Sequence, residues 1–197
     1  MRTILIALVV LCLTGCGSET SNTSDNTSIT GARVILRGLT NDGWAEIDQR
    51  PTSDVRIRSV PSWHDDSQGE ERGRNAIFIF ETGGVRIVHL GDLGHRLTQA
   101  QIDAIGPVDV LLVPVGGFFT IDASGATDVM EQLQPRVTIP MHYKTKDVTI
   151  RQLKPAQPFL AGKQVEEKNW GVTLYADRLP EYGSGVVWVL EPKAAQE

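Results

Sequence analysis

The four histidines of this chain, His64, His89, His95 and His142, each lie in a string where chemistry is within reach. The strings are Ser62-Trp63-His64-Asp65-Asp66, His89-Leu90-Gly91-Asp92-Leu93-Gly94-His95 and Pro140-Met141-His142-Tyr143-Lys144. Neutral imidazole with carboxylate is a good ligand set for zinc and similar divalent ions. Two of the three strings directly follow runs that read as buried strands, and loops after strands are where layered α/β sheets place ligand groups. An extended segment puts Asp66 on the side of His64, where it adds an oxygen. His95 lies in a glycine-containing turn and could swing inward. His89 has the opposite strand parity to Asp92 and reads as support or core. Asp65 and Asp66 also read, more simply, as a solvated turn pair. Arg72 and Arg74 are either solvated loop cations or a grip on an anionic substrate group. Gly116-Gly117 either lets backbone pass close to the site or makes a tight turn.

The elements that must position these groups follow from patterning. Residues 34–36 and the partly alternating 54–60 suit strands. Residues 75–81, 85–90 and 108–115 are apolar on both faces, as in a sheet held between layers. Thr82-Gly83-Gly84 reads as a hairpin turn between the first two. Thr98 and Gln101 fit a capping box, Leu97 and Ile102 the staple around it, and Gly106-Pro107 the end of that helix. Ala126, Val129, Met130 and Leu133 fall on one face of a second helix that Pro135 stops. Residues 137–139, 171–176 and 185–190 complete the predicted strands. The order points to a layered α/β or α+β domain over residues 32–192, with a tail at 193–197.

Composition narrows the class. Hydrophobic residues make up 41% and charged residues 22% of 197, which excludes a disordered or multi-span membrane chain. A net charge of −5 without a basic stripe argues against nucleic acid as a partner. Two cysteines cannot supply a disulfide framework. Residues 1–15 have a short positive start and an apolar run too short to span a bilayer comfortably, a signal-peptide pattern. They end in Leu13-Thr14-Gly15 before Cys16, which resembles a bacterial lipobox; Cys16 is then the lipidated mature N-terminus. Residues 16–31 carry that cysteine and a Ser/Thr/Asn-rich tether. The expected location is the cell envelope. Without Asp after Cys16, that means the periplasmic side of the outer membrane if the source is Gram-negative.

The strings HDDSQGEERGRN, GVRIVHLGDLGH, VDVLLVPVGGFFTIDA and IPMHYKT, in that order, resemble the second half of the metallo-β-lactamase superfamily. The branch most like them includes metal-dependent hydrolases related to lactonases of phosphorylated ascorbate. The resemblance implies the later part of an αββα sandwich. It implies a metal site at one sheet edge, with His64 and His142 as ligands and Asp92 as the bridging carboxylate. It also implies zinc or another divalent metal as cofactor. The superfamily's H-x-H-x-D-H string is absent, and only about thirty residues separate the tether from His64, so the first half is expected to be missing.

Two functional classes follow. One is a metal-dependent hydrolase of an ester, lactone or phosphoester acting on a small anionic substrate. The other is a non-catalytic lipoprotein module that keeps the later half of the fold. Losing half of a sandwich should leave an apolar sheet face, inviting self-association or cover by a partner chain.

Overall fold

The computed structural model describes residues 56–190, apart from 147, 169–171 and 173. The signal segment, Cys16, the tether, the strand expected at 34–36 and the tail lie outside the described residues, as does the start of the domain.

Seven strands form a single sheet in the order β1-β2-β3-β4-β5-β7-β6. They are β1 (Arg56–Trp63), β2 (Arg74–Thr82), β3 (Val85–His89), β4 (Val110–Pro114), β5 (Val137–Met141), β6 (Gln164–Lys168) and β7 (Val186–Leu190). Three helices accompany them, α1 (Gln99–Ile105), α2 (Ala123–Leu133) and α3 (Gln157–Leu160). β1, β2 and β3 pair antiparallel in series, and β3, β4 and β5 pair parallel. β1, β3, β4 and β5 therefore all point the same way, and the loops that follow them emerge at one edge of the sheet.

Local chemistry explains the elements. Gly83 and Gly84 both hold positive φ, +55° and +74°, and close the β2–β3 hairpin with Thr82 opposite Val85. Thr98 and Gln101 make the full reciprocal capping box at the start of α1, and the Gly106 N–H bonds back to Ile102. Asp122 caps α2 through the Gly125 N–H. Pro135 disfavours right-handed helix at Gln134, which sits at φ +46° and ends α2 one residue early.

Side-chain parity divides the sheet into two apolar faces. Ile77, Ile79, Val88, Leu111, Val113 and Val187 join the helices in one cluster, with Ala126, Val129, Met130 and Leu133 of α2 and Phe159 of α3. Val85, Ile87, Val110, Leu112, Val137 and Ile139 make the other. Crossovers β3-α1-β4 and β4-α2-β5 step in one direction across the sheet, and right-handed connections then place both helices on one side. Each large side chain buried this way contributes roughly 1.5–3 kcal/mol.

Three expectations are corrected. The predicted strand at 171–176 is absent from its described part: Ala176 begins a short 3-10 turn, Ala176–Arg178, instead. The strand forms earlier, at Gln164–Lys168, where charges mark an edge strand and only Val165 is apolar, 39% exposed. The second apolar face is not bare: its cluster is buried to single-digit exposure, with Leu174, Ala176 and Leu179 packed on it. The described residues hold one sheet rather than the two of a complete sandwich.

Candidate metal centre

His64 follows β1, Asp92 follows β3 and His142 follows β5, so strand direction alone brings all three to one rim. Backbone contacts weld the loops of that rim together. Gly94 N–H donates to the Trp63 carbonyl at 3.0 Å, Ile121 N–H to Leu93 at 2.8 Å, and Val115 N–H to Met141 at 3.0 Å. Two glycines make the approach possible. A Cβ on Gly94 would lie 2.3 Å from the His64 carbonyl carbon and the Asp65 nitrogen, and one on Gly116 would lie 2.2 Å from the His142 carbonyl oxygen. The close-approach reading of Gly116 is the one observed.

His64 Nε2 lies 3.8 Å from Asp92 Oδ2, an ion-pair distance without a hydrogen bond. Burial holds His64 below the usual imidazole range; Asp92 pulls it up, and the Arg72 and His142 charges push it further down. These effects together favour the neutral form of the ring. His142 stands at φ +52°, an unusual conformation for a residue with a side chain, and Phe119 meets its ring edge-on at 6.5 Å. Both His64 Nε2 and His142 Nδ1 are buried with no hydrogen-bond partner in the protein. That donor chemistry fits a divalent ion. The closure is incomplete: among the described residues, no three His, Cys, Asp or Glu side chains stand close enough together to hold one.

The other candidates divide. His89 is held in place by its own loop, its Nδ1 accepting from the Gly91 N–H at 3.0 Å, and burial lowers its pKa to about 4 despite Asp92. It supports the turn, as its parity predicts. His95 does not swing inward. Its Nε2 accepts from the Trp63 N–H at 3.2 Å, so Nδ1 carries the proton and donates to the Arg96 carbonyl at 2.6 Å. Both ring nitrogens are used, Nε2 in fastening Trp63, the residue before His64.

Asp65 is no solvated turn residue; it is 2% exposed. It accepts from the backbone N–H groups of Ser67, Gly69, Glu71 and Arg72 and from the Ser67 hydroxyl. Burial pushes its pKa up, but those donors outweigh it and bring it down to about 2. Asp66 is exposed beside it, and so are Arg72 and Arg74.

Sequence reasoning missed Asn75. It is 4% exposed and paired across the β1–β2 ladder with Ser62. Its Nδ2 donates to Ser62 Oγ at 2.7 Å and to the Leu90 carbonyl at 2.8 Å, and its Oδ1 accepts from the Asp92 N–H at 3.0 Å. It fixes the turn that presents Asp92. The only signal was a polar residue opening an otherwise apolar strand.

Comparison with known proteins agrees with this architecture. Residues 21–142 match the family model described as beta-lactamase superfamily domain. A protein of Carboxydothermus hydrogenoformans, named UPF0173 metal-dependent hydrolase, is 39% identical over 93 residues, covering 45% of this chain and 41% of that one. A Thermoplasma acidophilum protein of the same designation is 30% identical over 138 residues, covering 66% and 61%. A crystal structure from Thermotoga maritima, of the metallo-beta-lactamase superfamily, superposes with a TM-score of 0.58 at 40% identity, covering 70% of this chain and 66% of that one. The chain thus spans 41% to 61% of the length of these two curated relatives. By the match over residues 21–142, the chain belongs to the beta-lactamase superfamily.

Proposed function

We propose that the chain is a metal-dependent hydrolase of an ester, lactone or phosphoester, working at the rim shared by His64, Asp92 and His142. The observation that carries this reading is the pair of buried, partnerless ring nitrogens, His64 Nε2 and His142 Nδ1. An unpaired buried polar atom costs about 1–3 kcal/mol, which a bound cation recovers. The names of the relatives, metal-dependent hydrolases, support it.

His64, Asp92 and His142 would hold the ion, and zinc suits that donor set. When bound, it supplies Lewis acidity at the scissile bond and acidifies water. The chain's own groups do the rest. Burial favours the neutral form of His64, and Asn75 fixes the turn that presents Asp92. Arg72, exposed on the loop that follows His64, would favour an anionic substrate.

A second reading, a non-catalytic module, is favoured by the absence of an H-x-H-x-D-H string and by the open spacing of the three groups. Calorimetric titration of the full chain with zinc separates the two. We expect binding that His142→Ala weakens at least tenfold and His89→Ala much less. Equal losses in the two variants would sink the ligand assignment, and a parent that binds no zinc would favour the non-catalytic module.

The same proposal places the protein in the cell envelope, anchored through lipid on Cys16, on the periplasmic side of an outer membrane in a Gram-negative source. It includes self-association or a partner chain against the second sheet face, whose described cover is Leu174, Ala176 and Leu179.

A further inference from the structure

Phe118 is an aromatic residue that the backbone is strained to display. Its side chain is 49% exposed and its φ is +65°. The Phe119 N–H donates to the Gly117 carbonyl at 2.8 Å, closing a three-residue turn around Phe118. With positive φ at its centre, this is the rare and strained form of that turn. A bulky side chain there is disfavoured twice, by left-handed backbone and by an apolar ring left in water. The turn is nonetheless pinned on both sides: Gly117 N–H donates to Ile121 at 3.2 Å, and the Gly116 carbonyl accepts from Lys154 N–H at 2.8 Å.

The rings form a path to the site. Phe118 meets Phe119 edge-on at 4.3 Å between centroids, and Phe119 meets His142 edge-on at 6.5 Å. Strain spent on displaying a side chain beside a candidate site is spent on preorganisation.

We infer that Phe118 is the wall of a subsite for an aryl group of the substrate, the substrate ring lying on Phe118 beside the rim that carries His142. The use of this subsite rests on the hydrolase reading, but its test needs neither metal nor turnover. The full chain, carrying ring-labelled phenylalanine, is titrated with 4-phenylbutyrate and with butyrate and followed by NMR. Phenylbutyrate is expected to bind at least tenfold tighter than butyrate and to shift the Phe118 and Phe119 resonances. Phe118→Ala should lower phenylbutyrate affinity to that of butyrate and leave butyrate unchanged. Phe118→Gly, which relieves the positive φ, should do the same, and Phe118→Tyr should retain discrimination.

A parent that does not discriminate, or a Phe118→Ala chain that binds phenylbutyrate as tightly as the parent, overturns the inference. Loss of both ligands in both truncations makes Phe118 a structural residue and overturns it too. Discrimination by a chain that hydrolyses no ester even with zinc would defeat the hydrolase reading and leave the subsite standing.

Discussion

At the scale of single residues, Asp65 shows how a site's neighbour differs from the site. Its carboxylate is spent on the N–H groups of residues 67–72, so it organises the loop after His64 and has nothing left for a ligand. A carboxylate with a folded pKa of about 2, against the usual 3.8, stabilises the fold above the unfolded value. That contribution is lost as pH falls from about 3.8 to about 2. Acid titration followed by amide NMR should show residues 67–72 loosening in that window, and Asp65→Asn should move the loosening to neutral pH. A loop unchanged in Asp65→Asn would contradict this. The sequence could not reveal Asp65's role, because its partners are backbone groups of a loop whose shape no periodicity reports. His64, Asp92 and His142 were singled out through the family resemblance and their places after strands, and Asn75 was not, because its role exists only once β1, β2 and the β3 loop are assembled.

At the scale of elements, patterning served the core well and the edge badly. Central strands are apolar on both faces and both longer helices carry explicit caps, so β2 to β5, α1 and α2 were readable to within a few residues. β6 was missed because pairing with β7, rather than its own composition, makes it a strand. The welds between loops lead to a sharper expectation. Gly94→Ala forces a Cβ into the backbone of His64 and Asp65, neither of which can move without disturbing Asp65's loop. We expect a loss of about 3 kcal/mol, at the upper end for overpacking, measurable by urea denaturation. Gly162→Ala is a control with open space and a positive φ of its own, and should cost less. Equal costs would mean that the Cβ contact at Gly94 is relieved by a small backbone shift and does not govern the cost.

At the scale of the whole molecule, one sheet carries helices on one face and a second buried cluster on the other, where the described cover is Leu174, Ala176 and Leu179. The family's further layer was legible only by resemblance, since nothing in a strand's own sequence says what packs above it. The envelope assignment belongs to this scale and is tested there. Metabolic labelling with a palmitate analogue should mark the chain, and Cys16→Ser should abolish the mark; a labelled Cys16→Ser chain would refute anchoring at that residue.

The rim has a consequence for how this molecule can change. Its loops are joined by main-chain hydrogen bonds and by two glycines that admit backbone to backbone. Such joints do not depend on which side chains lie between them. Phe118, and Glu71 and Arg72, which lend Asp65 only their N–H groups, are therefore open to substitution without displacing His64, Asp92 or His142. Inheritance of the rim's backbone geometry is uncoupled from drift in the surface around it, so that surface can change while the fold stays intact.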